Sequence, residues 1–153
     1  RQRQMCIRDS SRTLELYGEE SPEALGTANN YAVSLKDLSR FEETKSLLRK
    51  MMPVARRVLG EDDTLTLRIR WAYADALCRD PNTTLDDFRE AATTLEETAR
   101  TARRVLGGAH PITGGIEAAL QSARAALRAH EEAASGDMSS ICEAVEAMTP
   151  GTV

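Results

Sequence analysis

Ala55-Arg56-Arg57-Val58-Leu59-Gly60 returns letter for letter as Ala102-Arg103-Arg104-Val105-Leu106-Gly107, 47 positions further on. A shorter copy, Leu16-Tyr17-Gly18, places its glycine 42 positions before Gly60. Between these markers Tyr31-Ala32 and Leu35 recur 42 positions on as Tyr73-Ala74 and Leu77, while Phe41 and Leu48 recur 47 positions on as Phe88 and Leu95. The register therefore slips by five residues between Leu77 and Phe88. Pro81 and Asn82 are turn formers there, so the insertion is expected as a lengthened loop. Units of this length, each closing on glycine, mark a solenoid whose units stack because none can bury its apolar face alone.

Punctuation sets the helix limits. Ser21-Pro22-Glu23 offers an N-cap followed by proline at the first helical position, Asp63 or Thr64 caps the next helix, and Thr84 with Asp87 has the spacing of a capping box. Gly18, Gly60 and Gly107 are read as left-handed helix ends. The expected helices are 22–38, 41–58, 64–79, 84–105 and 111–132, and residues 11–17 read as the end of a preceding outer helix. Ile69, Ala72, Tyr73, Ala76 and Leu77 fall at i, i+3, i+4, i+7 and i+8, one apolar stripe, with Ala28, Tyr31, Ala32 and Leu35 as its counterpart. Phe41, Leu48, Phe88 and Leu95 are expected to fill the space between paired helices. With 4% aromatic residues and no period-two alternation, the class is all-α.

The 153 residues suffice for one domain without disulfides or metal. Cys6, Cys78 and Cys142 are far apart and odd in number, which gives neither a disulfide framework nor a zinc site. The net charge of -4 is uneven, with +2 on residues 1–10 and -5 on residues 131–153. That balance lacks the basic face nucleic acid needs. No apolar run approaches the roughly 20 residues that span a bilayer, and the chain reads as soluble and cytoplasmic. It begins without Met and reads as a fragment. Arg3-Gln4-Met5-Cys6-Ile7-Arg8-Asp9-Ser10 resembles translated adapter read-through, so residues 1–10 are set aside as non-native or disordered. The repeat domain is placed at 11–132, as two full repeats with flanking half repeats.

Leu25-Gly26-Thr27-Ala28-Asn29-Asn30-Tyr31-Ala32, Arg40-Phe41-Glu42-Glu43 and Ala55–Gly60 together resemble the repeat of kinesin light chains and similar tetratricopeptide arrays. Leu106-Gly107-Gly108-Ala109-His110-Pro111-Ile112-Thr113 resembles the same family's inter-repeat turn. The resemblance covers about residues 12–128. It implies a tetratricopeptide-type α-solenoid of antiparallel helix pairs, whose first helices line a concave face that binds a peptide or helix. In kinesin light chains such repeats hold cargo peptides, and in signalling ATPases they serve as sensor segments. The implied function is a protein–protein interaction scaffold; the alternative is a sensor or oligomerisation segment of a larger signalling protein linked to an NTPase. An asparagine gripping a peptide backbone carries over only to Asn29 and Asn30, because Trp71-Ala72 replaces them in the second unit and Glu117-Ala118-Ala119-Leu120 lacks asparagine.

Repeat alignment then puts Asn29, Asn30, Val33 and Lys36 of the first unit, and Arg68, Trp71, Asp75 and Arg79 of the second, on the concave face. Trp71 lies about 200° from the Ile69 stripe. It either anchors a ligand or packs on a neighbouring repeat. Lys36, Arg68 and Arg79 either attract an acidic peptide or are solvated charge.

Catalysis finds little footing. His110 precedes Pro111 in a turn, where a capping role suits it. His130-Glu131-Glu132 begins a zinc-protease motif whose second histidine would be Ala134. Gly107-Gly108 and Gly114-Gly115 lack the Lys-Ser/Thr of a phosphate loop and read as a loose turn and a weak helix start. The arginine pairs at 56–57 and 103–104 suit the negative ends of helices. No enzyme activity, cofactor or metal is expected. Residues 133–153 read as a linker at 133–139 and an acidic tail. There Ser140-Ile141-Cys142-Glu143 precedes Ile141, Val145 and Met148 at i, i+4 and i+7, so the tail is either a short capping helix or disordered.

Overall fold

Ser21 Oγ accepts a hydrogen bond from the Ala24 N–H at 3.0 Å, with Pro22 at the first helical position. Asp63 Oδ1 accepts from Leu65 N–H at 2.7 Å, and Thr84 and Asp87 exchange both bonds of a capping box. These caps start three of the five helices in the computed structural model, which describes residues 21–148, with side chains described through 136. The segment 1–10, the helix end expected at 11–17, Cys6, Gly18 and the Cys142 side chain lie outside the described residues.

The helices are α1 (Pro22–Asp37), α2 (Phe41–Val58), α3 (Thr64–Arg79), α4 (Leu85–Leu106) and α5 (Pro111–Met148). Each packs on the next. In addition α1 packs on α3 and α3 on α5, whereas the backbones of α2 and α4 do not approach one another. This is the pattern of stacked helical hairpins, with alternate helices forming an inner wall and α2 and α4 outside, an all-α repeat fold.

One core runs through the stack. Leu25, Leu48, Leu67, Ile69, Tyr73, Leu77, Leu95 and Ile116 are buried in it. The alanines at 28, 32, 74, 91 and 102 are buried where helices approach closely. Phe88 is buried as expected, while Phe41 is half-buried. Tyr73 is fully buried, its hydroxyl accepting from Arg49 Nη2 on α2 at 2.8 Å and donating to Glu90 Oε1 on α4 at 2.6 Å. One ring thus closes the gap between the two outer helices. Its counterpart Tyr31 is only half-buried, because α1 has a single outer helix beside it among the described residues.

Gly60 and Gly107 have φ of 91° and 86°, the left-handed side of the map expected where the repeat's helices end. The same conformation is taken by Ser39, φ 59°, in the turn from α1 to α2, where no glycine marked it. The arginine pairs do lie in the last turns of α2 and α4. Three of these arginines also brace the turns: Arg56 pairs with Glu61, Arg104 with Asp62 at 2.5 Å and Arg103 with Glu117 at 2.6 Å.

Two expectations change. The five-residue insertion is only partly loop. α1 and α3 have the same length, the connection grows from residues 38–40 to residues 80–84, and the remaining three residues precede Phe88, the counterpart of Phe41, as a first turn of α4, whose start at Leu85 agrees with the expected 84–105. Leu85, Asp86 and Asp87 are drawn into the helix because Thr84 and Asp87 cap it. Second, the stretch 133–139, read from the sequence as a linker, is helical, and α5 continues to Met148. Gly136 costs a helix only about 1 kcal/mol relative to alanine, and the neighbouring Ala and Glu residues are good helix formers. With no turn after Glu132, the segment runs on along the helix axis instead of folding back as a separate cap.

Candidate functional site: a groove on the inner wall

α1, α3 and α5 enclose a groove of about 880 Å³, with Phe88 and Leu95 of α4 beneath it. All eight residues selected by repeat alignment line it: Asn29, Asn30, Val33 and Lys36 from α1, and Arg68, Trp71, Asp75 and Arg79 from α3. The alignment brings them together because helices of equal length, stacked in register, present equivalent positions to the same side.

The third wall was missed. Ile112, Ala118, Ala119, Ser122, Ala123 and Ala126 of α5 also line the groove, together with Ala72 and Cys78 of α3. Shifting Trp71, Asp75 and Arg79 by the repeat offset of 47 gives Ala118, Ser122 and Ala126, so the same reasoning reaches them one repeat later. Ala72, placed in the core stripe by periodicity, faces this groove and is half-buried. The walls differ in chemistry: carboxamides on α1, charge and an indole on α3, and small side chains on α5.

Charge in the groove is more organised than a cluster of free cations. Asp75 accepts from Lys36 Nζ at 2.5 Å, joining α1 to α3, and from Arg79 Nε at 3.0 Å. Arg68 is exposed and has no partner among the described residues. Three cations against one carboxylate leave the groove net positive. On its floor Cys78 has its thiol pushed up to about 11 by burial and by the nearby Asp75 charge. It is therefore protonated at neutral pH and a poor nucleophile.

Trp71 packs on the next repeat and lines the groove as well. A Cβ placed on Gly115 of α5 would lie 2.4 Å from Trp71 Cη2, so this glycine is where the indole fits and not merely a weak helix start. Gly115→Ala gains about 1 kcal/mol of helix propensity, but the methyl group must displace a rigid ring at a cost of about 1–3 kcal/mol. The expected result is a shift in tryptophan emission, which reports Trp71 alone, with a lower unfolding midpoint in denaturant. A more stable variant with unchanged emission would refute the contact.

Asn29 is 8% exposed, and its carboxamide Oδ1 is buried without a hydrogen-bond partner among the described residues. Asn30 beside it is exposed. Elsewhere the histidines have structural contacts. His110 Nδ1 accepts from Ile112 N–H at 3.2 Å, fixing the start of α5, and the His130 ring lies 4.8 Å from that of Phe88. Among the described residues no group of three or more His, Cys, Asp or Glu side chains is placed to hold a metal ion, and no helix is long and apolar enough to cross a membrane.

No curated protein matches the chain. Residues 24–65, which run from α1 through α2 into the first turn of α3, match the family model of the tetratricopeptide repeat, and the chain carries a repeat of that kind.

Proposed function

We propose that this chain is a non-catalytic protein–protein interaction scaffold of the kinesin-light-chain-like kind, which takes a short acidic peptide or helix into the groove between α1, α3 and α5. The observation that carries this reading is Asn29, a groove-lining residue of α1 whose carboxamide oxygen is buried and has no hydrogen-bond partner among the described residues. Such a group costs about 1–3 kcal/mol. A small rotation of the side chain lets a peptide N–H recover that cost, while Asn30 offers a second carboxamide. The net positive charge supports an acidic ligand, and Arg68, which has no partner among the described residues, is placed to meet it. Trp71 supplies the large, partly exposed aromatic surface typical of binding hot spots.

A second reading, an oligomerisation or sensor segment of a larger signalling protein, is favoured by one feature, the run of α5 beyond the stack. Titrating acidic, aromatic-containing peptides against the protein while following Trp71 fluorescence tests the first. A saturable change that weakens with salt is expected, and Arg68→Ala should lower affinity about two- to fivefold. Absence of any saturable signal would remove the groove as a peptide site.

A further inference from the structure

α5 is longer than the stack it belongs to. Its 38 residues run about 57 Å, against about 24 Å for the 16 residues of α1 or α3. Glu131 pairs with Arg89 near the start of α4, leaving four residues of α4 but seventeen of α5. Every residue from Arg128 to Gly136 is exposed. By length, α5 thus continues about thirteen residues further than α4 past that pair.

That projecting segment has a definite chemistry. Residues 131–148 carry Glu131, Glu132, Asp137, Glu143 and Glu146 and no Lys or Arg. Ile141, Val145 and Met148 fall on one face by their spacing. By spacing, Glu132, Glu143 and Glu146 fall opposite Ile141, Val145 and Met148, with Asp137 on the apolar side, and a helix of that pattern matches the groove on the inner wall. There Arg68, without a partner among the described residues, and the net positive charge complement its carboxylates, and Val33, Trp71 and Ile112 complement its apolar face.

Its own groove is out of reach. Ile112–Ala126 of the same continuous helix forms one wall of that groove, so the segment cannot enter without breaking α5. We propose that the acidic C-terminal segment of α5 docks in the inner-wall groove of a second copy of this chain. The inference rests on the reading of the groove as a site for acidic peptides or helices, and names the occupant. Tail and groove are different surfaces, so the contact is heterologous: each copy can give its tail and receive another.

Charge exchange in the intact chain tests it. Sedimentation should show concentration-dependent self-association that weakens with salt, accompanied by a change in Trp71 emission. Arg68→Glu, at an exposed residue, and the double variant Glu143→Lys/Glu146→Lys should each weaken it by about tenfold or more. Mixing the two should restore it, because reversed groove meets reversed tail and the native pair remains. Circular dichroism checks that each variant keeps its helices. Association that persists unchanged in Arg68→Glu overturns the proposal, as does association that the mixture fails to restore. A wild-type chain that stays monomeric also overturns it. If Trp71 in that chain still responds to added acidic peptides, only the identity of the occupant is wrong; if it ignores them, the broader reading of the groove falls too.

Discussion

Replacing Tyr73 by alanine lowers the stability of the fold by about 3–5 kcal/mol, the cost of emptying a fully buried aromatic site. At roughly 2–4 °C per kcal/mol for a chain of this size, the melting temperature falls by about 6–20 °C. The effect is large because Tyr73 is the side chain that fills the space between α2 and α4, whose backbones do not approach each other. Tyr73→Phe separates the ring from the hydroxyl. It keeps the packing, loses the bonds with Arg49 and Glu90, and costs about 1 kcal/mol. Burial, followed by the hydrogen bond to Glu90, pushes the phenol above its ordinary pKa of 10.0, with Arg49 opposing. The folded state thus holds this proton more tightly than the unfolded one. Its contribution is complete below the ordinary phenol value and is lost as pH rises through the folded one. The gap between wild type and Tyr73→Phe should therefore narrow at alkaline pH in denaturant titrations. A Tyr73→Ala variant within 1 kcal/mol of wild type, on the scale of an ordinary surface change, would contradict the packing described.

The second large effect is at Asp80, which ends α3 and holds the enlarged turn. Its side chain is 3% exposed and accepts from Lys45 Nζ of α2 at 2.7 Å and from the Asn82 N–H at 2.9 Å. Those two hydrogen bonds, Lys45 first, hold its carboxyl below the usual carboxylate range. Lys45 is 11% exposed. Burial works against its charge, but the bonds to Asp80 and Glu42 more than offset this and raise its pKa. Asp80→Asn leaves a largely buried ammonium with Glu42, at 2.5 Å, as its direct partner and the Asp87 charge nearby. The expected loss is about 2–3 kcal/mol, somewhat less than for a buried ion left wholly unpaired. Because the folded-state pKa is lowered, the stabilisation is present above the unfolded value and disappears as pH falls through the folded one. Wild type and Asp80→Asn should accordingly converge in acid. Glu42→Gln, at a side chain 79% exposed, should cost less than about 1 kcal/mol. Equal losses at both positions would show that burial does not set the difference.

Sequence alone determined the helices and their order, because these rest on terms local to the chain. Ser21, Asp63 and Thr84 cap helices through their own neighbours, and a repeat offset carries an apolar stripe from α1 to α3. The same offset brought Asn29, Asn30, Val33, Lys36, Arg68, Trp71, Asp75 and Arg79 to one groove, and one further step would have added the small residues of α5. Only the tertiary structure decided what these side chains do to one another. That Asp75 ties down Lys36 and Arg79, while Arg68 has no partner among the described residues, depends on the spacing between α1 and α3. That Trp71 needs a glycine at 115 depends on how closely α5 comes to α3. The length of α5 was also hidden, since Ser135-Gly136-Asp137 has the composition of a turn but not enough breaking power to stop a helix rich in alanine and glutamate. Distances across a seam between helices are set by the packing of the whole stack, and no local pattern of residues encodes them.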